Sequence, residues 1–164
     1  NSYSGGGYLK NRHGKITANF NKEWYNENKS SIIADEYPMP MEMVSEDGSI
    51  TANNLVFETI IQTTAGGTIN ANFMEMYKAA SASDVINHKI TLNGGRANVT
   101  VPNTQAFWFK GTGSISGSVG SVPMTATEDF VTILTPNNEE EKEAIARLEV
   151  KTTSGSINFK TATV

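Results

Sequence analysis

The chain of 164 residues contains no cysteine. That excludes disulfides, thiol nucleophiles and cysteine-ligated zinc, and it leaves the compartment open. Basic residues are few, with 13 Lys and Arg against 17 Asp and Glu, for a net charge of −4. No basic stripe provides the electrostatic footprint of a nucleic-acid binder. The two histidines, His13 and His88, are far apart and in no metal-binding or catalytic spacing. No apolar run approaches the roughly 18 residues needed to cross a bilayer, so membrane association is expected only through segments outside this chain. The start, Asn1-Ser-Tyr-Ser-Gly-Gly-Gly7, reads as part of a flexible lead-in over residues 1–13, with any targeting segment lying elsewhere.

Apolar residues make up 38 % and charged residues 18 %, both low for a globular domain. Thr, Ser, Asn and Gly fill the difference. That composition suits strands and tight turns better than long helices. The length suits one domain over residues 1–164.

A motif of glycine, polar residue, isoleucine, polar residue recurs. It is found at Gly14/Ile16, Gly48/Ile50, Gly67/Ile69, Gly113/Ile115 and Gly155/Ile157, with a degenerate copy at Gly95. Two spacings, 48 to 67 and 95 to 113, are close to 19 residues. The gap of 34 after Gly14 is near two such units, whereas the gaps of 28 and 42 require an insertion or a lost copy. Glycine reaches positive φ and so marks a sharp corner. Beyond it the residues alternate: Ile69, Ala71 and Phe73 fall on one side, Thr68, Asn70 and Asn72 on the other. Strand-like runs at 60–66 and 150–154 precede two of the corners.

The unit therefore reads strand, corner, strand. One such unit cannot bury its isoleucine face alone, but stacked units can. The expected architecture is an all-β, short single-stranded β-solenoid of some seven or eight coils, a body of roughly 35 Å at about 4.8 Å per coil. The alternative is an antiparallel β-sandwich, since short strands with glycine turns also read that way.

Three segments depart from the repeat. Residues 21–47 are polar and contain Pro38 and Pro40, so an irregular N-terminal cap is expected there. Residues 135–149 form the one helix candidate, with Asn138 as N-cap, acidic Glu139–Glu141 in the first turn, Glu143 and Arg147 four apart, and Ile145 and Leu148 as an apolar stripe. Gln105–Lys110 is an aromatic strand whose Phe107 and Phe109 should be core, leaving Trp108 to point outward. An outward Trp108 is a candidate contact for a glycan or a partner side chain, or it packs beneath the helical insertion.

Other chemistry is thinly represented. Met39, Met41 and Met43 alternate, as thioether ligands for Cu(I) would, but methionine also fills irregular cores. The acid pairs Asp35/Glu36 and Glu46/Asp47 are adjacent, so on a strand their side chains diverge. Gly113-Ser-Ile-Ser-Gly117 matches the letters of a nucleophile elbow but lies inside the repeat. No catalytic residue, metal site or cofactor is expected.

Two motifs carry a family resemblance. Leu148-Glu-Val-Lys-Thr-Thr-Ser-Gly-Ser-Ile157 has a Thr-Thr-Ser-Gly-x-Ile corner, and Ile61-Gln-Thr-Thr-Ala-Gly-Gly-Thr-Ile69 repeats it with one extra residue. Leu92-Asn-Gly-Gly-Arg-Ala-Asn-Val-Thr-Val-Pro102 is followed by Phe107 and Gly113-Ser-Ile115. Over roughly residues 48–160 the chain resembles the bacterial putative-adhesin domains of the "toast-rack" β-solenoid type. The resemblance implies a non-enzymatic, extracytoplasmic module of the cell envelope, at the cell surface or membrane-tethered, whose partner is an envelope protein or a glycan. The competing expectations are a self-assembling structural solenoid and a carbohydrate-active β-helix enzyme.

Overall fold

The computed structural model describes residues 7–29, 40–76, 86–136 and 145–163. Among them every coil of the repeat is a pair of strands meeting at a glycine corner. The pairs are β1 (Gly7–Asn11) with β2 (Lys15–Asn19), β3 (Met41–Ser45) with β4 (Ser49–Leu55), β5 (Thr59–Thr63) with β6 (Thr68–Phe73), and β7 (Asn87–Leu92) with β8 (Arg96–Val101). Two longer strands each turn the corner without a break: β9 (Phe107–Val119) and β12 (Arg147–Thr161). Strands stack in parallel on both sides of the corner, in the order β1-β3-β5-β7-β12 on one side and β2-β4-β6-β8-β12 on the other. The fold is a single-stranded β-solenoid, and the sandwich alternative falls because all coil-to-coil pairing is parallel.

The corners set the register. The backbone N–H after one corner glycine donates to the carbonyl of the glycine one coil away: Ser49 to Gly14 (2.8 Å), Thr68 to Gly48 (3.3 Å), Arg96 to Gly67 (3.0 Å) and Ser156 to Gly95 (3.2 Å). At Gly67, φ is +99° and a Cβ would collide with the Gly48 carbonyl oxygen. A side-chain hydroxyl completes some corners: Ser45 Oγ accepts from Gly48 N and Thr152 Oγ1 from Gly155 N, both at 3.0 Å. Thr63 occupies the same row, but its corner carries one more residue, and its buried Oγ1 has no partner.

With the register fixed, the isoleucines form one column, Ile16–Ile50–Ile69–Ala97–Ile157–Ile115. Ile50, Ile69 and Ile157 are wholly buried, and Ile16 is nearly so. A second column on the facing side runs Leu9–Met43–Ile61–Ile90–Val150. Each such side chain contributes about 1.5–3 kcal/mol when buried.

The coils do not stack in chain order. β12, the last strand, lies between the β7/β8 coil and β9. Among the described residues β9 pairs only with β10 (Val122–Pro123), β11 (Val131–Ile133) and β12. Thus β12 joins the terminal coil to the rest. Phe159 of β12 stacks edge-on against Phe109 of β9 at 5.4 Å. β10 and β11 run antiparallel to β9, pairing with its last and its first residues respectively.

Several expectations need correction. The stack has six coils among the described residues, not seven or eight. The gap of 34 holds one coil with an insertion, because Gly14 and Gly48 are neighbours in the stack. The lead-in contains β1, which is part of the sheet from Gly7 onward. The 21–47 region is more regular than a loop cap. It contains α1 (Lys22–Asn28), whose N-cap Asn21 accepts from Trp24 N at 2.9 Å, and then β3. Tyr25 of α1 is buried edge-on against Phe57 at 5.7 Å. Residues 137–144 of the expected helix lie outside the described residues, but Arg147–Glu149 are strand. Leu148 is buried as an inward residue of β12, which removes the helical stripe.

Gly67→Ala should cost at least about 2 kcal/mol, since it combines a positive φ with a backbone collision. Gly66→Ala has a similar φ of +102° but open space around it, and should cost only the conformational part, about 1 kcal/mol. Urea unfolding of the two variants checks the difference.

Candidate functional site

Parallel, in-register stacking also aligns the outward residues. On the second sheet they form rows along the stack. One row is Thr17–Thr51–Asn70–Asn98–Asn158–Ser116. Beside it run Asn19–Asn53 and Asn72–Thr100–Lys160, and on the other flank Lys15–Ser49–Thr68–Arg96–Ser156–Ser114. Successive residues of a row are about 4.8 Å apart and adjacent rows about 7 Å apart, as strand geometry dictates.

The amides bridge coil to coil. Asn53 Nδ2 donates to Asn19 Oδ1 (2.7 Å), Asn72 Nδ2 to Asn53 Oδ1 (2.6 Å) and Asn98 Nδ2 to Asn70 Oδ1 (3.1 Å). A carboxamide has two N–H groups and two lone pairs, so each bridge leaves capacity facing solvent. The central row has no charge at all. The result is a flat array of amides and hydroxyls that can donate and accept hydrogen bonds at regular intervals.

The outer face of the first sheet differs. Its rows include Tyr8–Glu42–Ile60–Lys89–Glu149–Lys110, with alternating charge. Trp108 lies on this side, opposite the buried Phe107 and Phe109, as expected from the alternation. It is half-buried between Arg147 of β12 and Thr132 of β11, with no helix over it among the described residues. Nearby, the Lys110 ammonium and the Arg147 guanidinium lie 5.8 Å and 5.6 Å from the Phe130 ring centre. The glycines and isoleucines of the repeat, by contrast, build the corner and the interior and present no chemistry outward.

The acids that the sequence offered are engaged separately. Glu46 pairs with Arg12 at 3.3 Å and Asp47 with His13 at 2.6 Å, both on the exposed corner joining the first two coils. Donating its hydrogen bond to the Asp47 carboxylate holds the His13 pKa above its usual value. Asp35 and Glu36 lie outside the described residues, as does Met39. Met43 is wholly buried and Met41 packs against the core, so these two methionines face inward. Among the described residues no three His, Cys, Asp or Glu side chains come together as a metal set. None of the helices there is long and apolar enough to cross a membrane.

His88 was legible in the sequence but carried no role there. It shares the phase of Ile90 and Leu92 and so points inward. It is 1 % exposed, edge-on to Phe73 at 4.8 Å, and neither ring nitrogen has a hydrogen-bond partner. Burial lowers its pKa to about 3. The folded protein keeps it neutral, while the unfolded chain protonates near pH 6.5. Stability from this group is therefore complete above about pH 6.5 and falls as the pH drops toward 3. Going from pH 7 to 4.5 should cost about 3 kcal/mol through His88 alone. In His88→Leu that component of the pH dependence should vanish, as urea unfolding at the two pH values will read.

No family model matches the chain, and no curated protein or solved structure matches it significantly.

Proposed function

We propose that the protein is a non-catalytic interaction module of the bacterial cell envelope, extracytoplasmic and adhesin-like or sensor-like, which contacts its partner through the outer face of the second sheet. The observation that carries this reading is the central uncharged row Thr17–Thr51–Asn70–Asn98–Asn158–Ser116, continuous over six coils. Regular hydrogen-bonding groups on a stiff surface suit a repeating, polyhydroxylated or amide-bearing ligand, such as a neutral glycan or an extended envelope protein. The envelope assignment draws on the Thr-Thr-Ser-Gly-Ser-Ile corner at 152–157 and its resemblance to the toast-rack putative adhesins. Trp108, with Phe130, Lys110 and Arg147 around it, is a secondary contact surface for the same class of ligand.

A glycan array tests the reading. Neutral glycans should be retained by the intact protein. The double variant Asn70→Asp, Asn98→Asp places two carboxylates in the row and should weaken retention at least about tenfold, whereas Lys89→Ala on the opposite face should not. Trp108→Ala separates the secondary surface. Retention that is indifferent to the Asn row, or absent from every glycan and envelope fraction, would remove the basis for this face.

A further inference from the structure

We propose that the protein forms a two-fold dimer through the open end of its stack, with β1 pairing antiparallel to β1 of a second copy. This goes beyond the ligand-binding reading and does not depend on it. The two ends of the solenoid differ. At the far end β11 pairs antiparallel with Phe107–Phe109 of β9 and β10 with Ser118 and Val119, so both extremities of that strand are partnered. At the near end β1 has β3 as its only strand neighbour, and among the described residues its other edge carries no strand.

The interior emerges at this edge. In the column Leu9–Met43–Ile61–Ile90–Val150, the four deeper residues are at most 1 % exposed, whereas Leu9 is 40 % exposed. Tyr8 beside it is 58 % exposed. These are two of the three exposed large apolar side chains among the described residues; the third, Val131, lies at the far end. An inward-pointing leucine half in water, on a strand whose outer edge meets no strand among the described residues, is a template for one more strand.

The sequence of β1 selects a second copy as that strand. With the two-fold axis at Leu9, the inward row continues as Leu9 against Leu9 of the second copy. Tyr8 then faces Lys10 of the second copy, an ammonium on an aromatic ring. Glu42 stands next to Tyr8 in the same outer row, so the charge beyond the ring is opposite in sign. Gly7 faces Asn11. No like charges oppose each other, and the pairing satisfies both edges at once. An isologous contact of this kind closes on itself. The pairing uses the β1 edge of both copies, so this contact by itself stops at two rather than growing into a filament.

Sedimentation equilibrium of the full chain over roughly 1 μM to 1 mM, the range suited to a small interface, reads the outcome. A mass that doubles and then stays level supports the proposal. A monomer throughout, or growth beyond two, overturns it. Leu9→Glu should move the dimerisation midpoint at least about tenfold higher, while Val131→Glu at the far end leaves it in place. Should Leu9→Glu disturb the first coil, Leu9→Cys reads the same contact, since the chain has no other thiol. Mild oxidation should give a covalent dimer with Leu9→Cys and leave Thr112→Cys, exposed on the side of the stack, monomeric. Equal cross-linking of the two variants overturns the proposal.

Discussion

The close approach of one coil's corner to the next governs this molecule. A backbone N–H just past each corner glycine meets the carbonyl of the corner glycine one coil away, through Gly14, Gly48, Gly67 and Gly95. At Gly67 and Gly95 that contact has no room for a β-carbon, and the backbone takes a positive φ that side-chain-bearing residues seldom adopt. Once it is made, the strands on both sides of the corner have no freedom to slip. A slip of one residue would turn the isoleucine column to solvent and the asparagines inward. The interior columns and the outer rows are therefore two consequences of one geometric condition.

Much of this could be read from the residues. The glycine-to-isoleucine spacing and the alternation that follows it state the corner, the strand and its buried face directly. The order of the coils could not be read that way, because it is a non-local property. Gly155 follows Gly113 in the chain yet lies between Gly95 and Gly113 in the stack. The reason is visible in side-chain volume once the partners are known. β9 offers Gly111 and Gly117 where β12 offers Val150 and Phe159. A Cβ on Gly117 would strike the Phe159 backbone, and one on Gly111 would strike Phe109 and Ile115 of its own coil, so β9 holds glycine where β12 holds Phe159 and Val150.

The misread segments have physical explanations too. In 135–149 the acidic run and the Glu143/Arg147 spacing suggested a helix, while Leu148 and Val150 already alternated as inward strand residues. Residues 137–144 lie outside the described residues, and at Arg147–Glu149 tertiary pairing on two sides of β12 outweighs the weak local preference. The reverse happened at 22–28, where Asn21 three residues before Trp24 was a usable cap signal inside a stretch that looked irregular. Insertions also hid the period. A coil keeps its two strands and its corner while the stretch of chain between coils varies from three residues (56–58) to 27 (120–146).

The two outer faces were built under the same register condition, which makes their difference informative. Lysine and glutamate alternate along Lys89–Glu149–Lys110 on the first sheet, so the stack accommodates charged rows there. Nothing in the corner geometry demands that the second sheet be otherwise. Coil-to-coil amide bridges such as Asn72 to Asn53 contribute about 1 kcal/mol each, an amount that charge pairs in the same rows could also supply. Stability alone thus does not select a long uncharged row of Thr, Asn and Ser over an alternating charged one. The uncharged row presents evenly spaced donors and acceptors between flanking rows that carry Lys15, Arg96 and Lys160. Such a row suits a ligand lying against it, which is why the proposed contact is placed on the second sheet rather than on the charged face.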